Sequence, residues 1–342
     1  MTGRGHYASD TFPEDHVHAV LVRAPVAHAR ISRIDTAAAA NAQDVVLVLT
    51  GDDAAADGLR QPIPHNPDWR GPPDAVLQLP DGFDVFLTEH LPLSASHVRH
   101  VGEPVALVIA QSRSAAADAA QLVEVDYEEL PHVVDARAAM RADAPSVWSA
   151  RPDNIALTCE VGDSAATEAA FASAAHVVRL DTWVHRVTGS PMEPRAVVGE
   201  YDPQTERYTL RAASGRGVVQ TRDRLATTLG VDPERCRVVF GDMGGNFGTR
   251  NAFTPEFTLM PWAARRVGRP VKWVADRDEC FLTDYQARDT AFEAELALDA
   301  DGNIVAMRGT NTMNLGAYTV YFWPLRKGLS MMQGVYRVPT AH

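Results

Sequence analysis

Apolar residues in this chain come in short blocks separated by Gly, Pro and charged clusters, and each block predicts one strand or helix. Val17–Arg23 and Ala29–Asp35 predict strands on either side of the turn-like pair Ala24-Pro25. An Ala-rich helix is expected over Ala37–Gln43. Val45–Thr50 is a continuous apolar run that suits a buried strand, and Pro104–Ala110 is strongly apolar as well. Ser112 caps a helix predicted to reach Leu122, and Val123–Glu128 returns as a strand. Strand, helix and strand in this order predict a βαβ-like unit.

The second part of the chain predicts strands near Ile155–Glu160, Val177–Arg186, Ala196–Tyr201, Tyr208–Ala212 and Cys236–Phe240. Val218–Leu229 predicts a helix closed by Gly230. Thr254 and Pro255 form an N-cap and first-turn pair that opens a helix to Val267, stopped by Gly268 and Pro270. Phe292–Asp299 and Ile304–Asn311 read as a hairpin. Residues from Asp57 to about Asp84 are rich in Pro, Gly, Asp and Asn and read as a long loop, which in a compact domain is often functional. The proline-bearing stretch Arg141–Asp153 reads as a linker between residues 1–140 and 154–342.

The 342 residues suffice for about two domains at roughly 150 residues each. The net charge is 32 − 44 = −12. Such a chain lacks the basic surface that a nucleic acid or an anionic membrane requires, so neither is expected as a partner. Cys159, Cys236 and Cys280 are far apart and include no CxxC pair, so no zinc ribbon, iron–sulfur cluster or disulfide scaffold is expected from this chain. No export signal or spanning apolar run is visible, and a cytoplasmic protein is expected.

The sharpest chemical feature is Gly241-Asp242-Met243-Gly244-Gly245-Asn246-Phe247-Gly248-Thr249-Arg250-Asn251 between a strand and a helix. Its backbone N–H groups are suited to cradle an oxyanion or oxo ligand, and a tight turn without ligand is an equal alternative. It matches neither Walker A nor the Rossmann spacing. In Gly189-Ser190-Pro191-Met192-Glu193-Pro194-Arg195, two prolines stiffen Met192-Glu193. Glu193 is a candidate to orient a cofactor or pair with Arg195, although a solvated ion pair is the favoured reading. His16 with His18, and His97 with His100, read as surface histidines, and no metal ligand set is expected. Ser190 and Ser214 lack an elbow and a base, so a hydrolase is unsupported.

Taken together, these segments resemble the large subunit of the molybdenum hydroxylases: xanthine dehydrogenase, aldehyde oxidase and aerobic carbon monoxide dehydrogenase. The similarity runs through Gly3–Tyr7, Leu21–Ile31, Val101–Ala106, Val123–Pro131, Pro191–Arg195, Gly244–Gly248 and Gly268–Trp273. It implies an α+β fold: an α/β hammerhead domain at residues 1–140, then the first part of a mixed α/β molybdenum-cofactor-binding domain at 154–342. It implies hydroxylation of an aldehyde, an N-heterocycle or a similar carbon centre, with oxygen from water. A molybdenum–molybdopterin cofactor is implied, in a bacterial-type enzyme as the cytosine dinucleotide form, with the metal held by the pterin. An iron–sulfur small subunit carrying 2Fe-2S and a medium subunit carrying FAD are the implied partners. By the same resemblance Gly215, Arg216, Gly217, Gly244, Gly245, Asn246, Phe247 and Gly248 bind cofactor, and Phe247 and Asn251 face a small-molecule substrate. Two departures stand out. Gly215 replaces a glutamine often found there, and neutral Asn251 replaces a carboxylate of some purine-oxidising members. Full family subunits are roughly twice as long or more, in the multi-domain size range. The end at Tyr336–His342 reads as an interruption, which implies a missing C-terminal half that carries the general-base glutamate, and a chain inactive alone. The alternative is a non-catalytic relic or assembly partner.

Overall fold

The computed structural model describes residues 3–10, 12–59, 61–65 and 77–342. Along them run strands β1 (Val17–Arg23), β2 (Ala29–Asp35), β3 (Val45–Thr50), β4 (His97–Val98), β5 (Pro104–Ala110), β6 (Glu124–Glu129) and β7 (His176–Val187). These are followed by β8 (Ala196–Asp202), β9 (Arg207–Ala212), β10 (Cys236–Phe240), β11 (Val271–Val274), β12 (Ala287–Leu298) and β13 (Ile304–Met313). The helices are α1 (Ala37–Ala40), α2 (Gly51–Ala56), α3 (Arg113–Ala120), α4 (Ala136–Ala139), α5 (Ser164–Ser173), α6 (Val218–Leu229), α7 (Pro255–Val267), α8 (Arg277–Thr283) and α9 (Trp323–Ser330).

Two compact units divide these elements. The first holds the described residues of 1–65, 89–131 and 188–285. Its main sheet has the order β10-β9-β8-β11-β1-β5-β3, and a second sheet has the order β4-β2-β6. Every residue of β5 is buried: Leu107 and Ile109 enter the main core, and helix α3 packs on the strand. A strand of a sheet covered on both faces reads as a continuous apolar run. Helix α7 packs on β8, β9 and β11 and buries Phe257, Leu259, Met260 and Trp262 in the main core. That core also takes Trp273, Leu210 and Leu225. The second unit holds the described residues of 66–88, 132–187 and 286–342, around a sheet of order β13-β12-β7.

Most expected elements are present, several at the expected residues. Gly230 and Gly268 close α6 and α7 in the left-handed conformation. Ser112 caps α3 by accepting a hydrogen bond from the Ala115 N–H. Other expectations need correction. Ile155–Glu160 is not a strand; only Glu160 bridges, to Gln78. β5 and β6 do not form a βαβ unit, since β5 joins the main sheet and half-exposed β6 joins β2. Helices α2, α5 and α8 and strand β11 fall where none was expected. The four histidines expected at the surface are half-buried. Of the long loop expected over 57–84, residues 60 and 66–76 lie outside the described residues.

Inside the first unit, a ring nitrogen of His65 (Nε2) meets His90 Nδ1 at 2.9 Å. Burial, helped by Arg224, lowers His65 to about 3. Burial also holds His90 well below the usual range, with further repulsion from His65 and His100. Both rings therefore favour the neutral form when folded. The unfolded chain takes up protons near pH 6.5 and the folded one resists, so stability is full above pH 6.5 and is lost as pH falls below it. Each such histidine contributes about 1.4 kcal/mol per pH unit in that window. Thermal unfolding at pH 7 and pH 5 is expected to show a drop of several degrees, and His65→Leu is expected to flatten that slope.

Candidate functional site

Strands β9 and β10 are parallel neighbours, and β8 runs antiparallel to β9. The register sets Val197 beside Ala212 and Ala212 beside Phe240. Three segments therefore meet at one end of the sheet: the loop into β8 (188–195), the loop after β9 (213–217) and the loop after β10 (241–254). Open α/β sheets place ligands at such strand ends.

The loops are tied to each other by backbone and side-chain hydrogen bonds. The Gly244 N–H donates to Glu193 Oε2 at 2.7 Å, and the Glu193 N–H donates back to the Gly244 carbonyl at 3.3 Å. A Cβ at Gly244 would stand 2.6 Å from Glu193 Cβ, so only glycine permits this approach. Arg250 Nη2 donates to the Glu193 carbonyl at 2.7 Å. The Arg250 carbonyl accepts from Ser214 Oγ at 2.8 Å and from the Gly215 N–H at 3.1 Å. Arg277 donates to the Pro191 and Met192 carbonyls at 2.7 and 2.6 Å. At the far side of the third loop, the His6 N–H donates to Asp242 Oδ2 at 2.8 Å.

Asparagine side chains shape the centre. Asn246 Nδ2 donates to Asn251 Oδ1 at 3.0 Å, and the Gly248 N–H donates to Asn246 Oδ1 at 3.2 Å. Arg216 Nε donates to the Asn251 carbonyl at 2.7 Å. A Cβ on Gly215 would collide with Asn246 Nδ2 and Asn251 Oδ1. The Asn246 amide thus occupies the volume that a side chain at 215 would enter. Gly217 is the N-cap of α6 and makes no such contact.

Phe247 has φ 50° and is 76% exposed, flanked by Gly245 at φ 121° and Gly248 at φ 85°. A bulky residue held at positive φ stores strain of order 1–3 kcal/mol. The N–H groups of Gly245, Asn246 and Phe247 make no hydrogen bond among the described residues. Glu193 Oε1 is buried and likewise without a hydrogen-bond partner there. Arg216, bonded to the Asn251 carbonyl, brings a cation to these loops. Three free backbone donors beside an exposed ring fit an acceptor-rich group.

Beneath the loops lies a buried charge network. Glu256 Oε1 is 2.8 Å from Arg23 Nη2 and 3.4 Å from Arg195 Nη2. Asp284 Oδ1 is 3.2 Å from Arg195 Nε and 3.6 Å from Arg250 Nη1. Glu279 Oε1 is 2.6 Å from Arg23 Nε. Burial alone would raise the Glu256 carboxyl, but Arg195 and Arg23 hold it down to about 2. Burial raises Glu279, against the pull of Arg23. The reading of Glu193 with Arg195 as a solvated ion pair is therefore wrong on both sides: Arg195 is buried with Glu256 and Asp284, and Glu193 accepts from Gly244. Arg277 and Asp284 were missed, because nothing in local spacing links them to the loops they hold; Arg250 lay in the singled-out loop but was given no role.

The fold and these loops define an α+β protein with a glycine-rich loop at the strand ends of its main sheet. Residues 147–342 match the molybdopterin cofactor-binding domain, and residues 2–70 and 76–131 match the aldehyde oxidase and xanthine dehydrogenase a/b hammerhead domain. The chain belongs to this family. It is similar to the nicotine 6-hydroxylase large subunit of Paenarthrobacter nicotinovorans, 34% identical over 93% of this chain and 37% of that protein. It is similar to the crystal structure of quinoline 2-oxidoreductase from Pseudomonas putida 86, with TM-score 0.83 and 34% identity over 99% of this chain and 42% of that one. A structure of the Cu,Mo-CO dehydrogenase matches with TM-score 0.85 and 31% identity over 99% of this chain and 42% of the other. The chain spans about two fifths of the length of these relatives. No helix among the described residues is long and apolar enough to cross a membrane.

Proposed function

We propose that this chain is the cofactor-binding portion of a molybdenum hydroxylase large subunit that hydroxylates a ring carbon of an N-heterocycle. The observation that carries this is the run of unpaired N–H groups at Gly245, Asn246 and Phe247, held beside the exposed Phe247 ring. When bound, a molybdenum–molybdopterin cofactor supplies a two-electron oxidation with oxygen from water. The chain's own groups hold and orient. The free backbone N–H groups of Gly245, Asn246 and Phe247 receive acceptor atoms of the cofactor, in a loop that Gly244 and Gly248 shape by binding Glu193 and Asn246. Arg216, Gly215 and Gly217 line the adjoining loop. Phe247 offers a flat apolar face to a planar substrate ring. Asn251, whose Oδ1 is engaged by Asn246, orients that amide and brings no charge to the substrate.

Nicotine and quinoline, in the names of two relatives, are N-heterocycles, which favours that class over aldehydes. The finer parts of the reading are the cytosine dinucleotide form of the pterin, 2Fe-2S and FAD on partner subunits, and the general base on polypeptide outside this chain. The test is co-expression with the remaining large-subunit polypeptide and partner subunits in a host that makes the cofactor. Near-stoichiometric molybdenum with releasable pterin, and hydroxylated quinoline-type products with a dye acceptor, are expected. A well-folded full assembly without molybdenum overturns the reading and leaves an assembly role.

A further inference from the structure

Arg216 stands at the site with its orientation fixed and its outer nitrogens unused. Its backbone N–H donates to Ser214 Oγ at 3.2 Å, and its Nε donates to the Asn251 carbonyl at 2.7 Å. A guanidinium presents its donors as a rigid planar fork. The Nη1 and Nη2 groups of Arg216, the rest of that fork, make no hydrogen bond and no ion pair among the described residues. Other arginines of these loops are committed. Arg250 and Arg277 hold the Glu193, Pro191 and Met192 carbonyls, and Arg195 pairs with Glu256 and Asp284.

Carboxylates near Arg216 along the chain and in the loops are engaged elsewhere. Glu193 accepts from the Gly244 N–H, Asp242 from the His6 N–H, and Asp223 of α6 pairs with Arg222 at 2.7 Å. A charge that Arg216 does meet, Arg224, has the same sign: burial, then repulsion by Arg216, lowers it to about 10. Asn251 preserves this state. Its Oδ1 lies against Gly215, the residue next to Arg216, and it is a neutral amide. A carboxylate there would bring a counter-charge to the guanidinium.

We propose that Arg216 is a specificity-determining residue that receives a carboxylate on the substrate ring, so that the substrate class is an N-heterocyclic carboxylic acid. This rests on the reading above that the chain serves an N-heterocycle hydroxylase. A planar fork matches a carboxylate with two parallel hydrogen bonds. The Nε anchor sets the fork before the substrate arrives, which lowers the ordering cost of binding. The cofactor is a second source of anionic oxygen, but the free backbone donors suited to it lie at Gly245 to Phe247. Arg216 is fastened instead at Asn251, the substrate-facing residue of the same reading.

The experiment uses the co-expressed assembly and the quinoline monocarboxylates, each against its own carboxamide. Equilibrium dialysis reads binding without turnover, and kcat/KM reads it with turnover. Wild type is expected to bind the best carboxylate about tenfold or more tighter than its carboxamide, the worth of one charge-assisted contact. Arg216→Gln is expected to abolish that ratio, with a raised KM for the carboxylate. Asn251→Asp, which keeps an oxygen for the Asn246 amide, is expected to shrink the ratio by supplying an internal counter-charge. Equal binding of every carboxylate and its carboxamide by wild type overturns the proposal. So does an unchanged ratio in Arg216→Gln; if that variant also loses its pterin, the guanidinium belongs to the cofactor. The hydroxylase reading is scored apart: a metal-free assembly that still prefers the carboxylate in dialysis keeps the role of Arg216 and removes the function.

Discussion

Glu256→Gln lowers the unfolding free energy by roughly 3–5 kcal/mol, the cost of breaking a buried ion pair from one side. The carboxylate is 1% exposed and stands between Arg23 and Arg195, themselves nearly buried. Removing its charge leaves three guanidiniums, Arg23, Arg195 and Arg250, facing only Glu279 and Asp284. Glu279 cannot compensate, since burial already raises its carboxyl. The pH dependence follows from the folded value near 2 against an ordinary value of 4.5. A depressed acid contributes stability in full above its unfolded value, and the contribution is lost as pH falls from about 4.5 toward 2. Urea unfolding at pH 7 and pH 3.5 is expected to show that loss in wild type and a flatter response in the variant. A loss below about 1 kcal/mol at pH 7 means that the network is solvated and does not support the loops.

The same network marks the boundary of what a sequence discloses. β5 is legible because a strand covered on both faces is apolar throughout, and Gly230 and Gly268 are legible because a left-handed cap strongly favours glycine. The glycine-rich loop is legible for the same local reason. By contrast, the partner of Glu193 is Gly244, 51 positions later, and Arg277 reaches Pro191 across 86. Those pairings depend on the order of β8, β9, β10 and β11 in the sheet, which no local period encodes. β6 carries the alternation of a half-exposed strand, yet nothing in it names β2 rather than β5 as its neighbour. Helix α5 escaped notice because its alanines and threonine do not form an apolar stripe; only Thr167 is buried.

Gly215→Gln tests the centre of the site. It restores the glutamine often seen in similar subunits, and this chain is expected to reject it. The new Cβ collides with Asn246 Nδ2 and Asn251 Oδ1, so the bridge between those amides must open. Position 215 is exposed, and one amide hydrogen bond is worth about 1 kcal/mol, so the unfolding midpoint should barely move. Molybdenum retention in the co-expressed assembly should fall at least tenfold, about 1.4 kcal/mol of binding. The double variant Gly215→Gln with Asn246→Gly removes one obstructing amide, releases the Asn251 side chain that it holds so that it can turn aside, and provides another amide in nearly the same place. It should recover most of the metal, which a general loosening of the loop would not allow. Full retention by the single variant would mean that Asn246 moves freely and does not take the glutamine's place. Loss in both variants would mean that the Asn246–Asn251 bridge, rather than an amide near position 215, is what holds the loop in its binding shape.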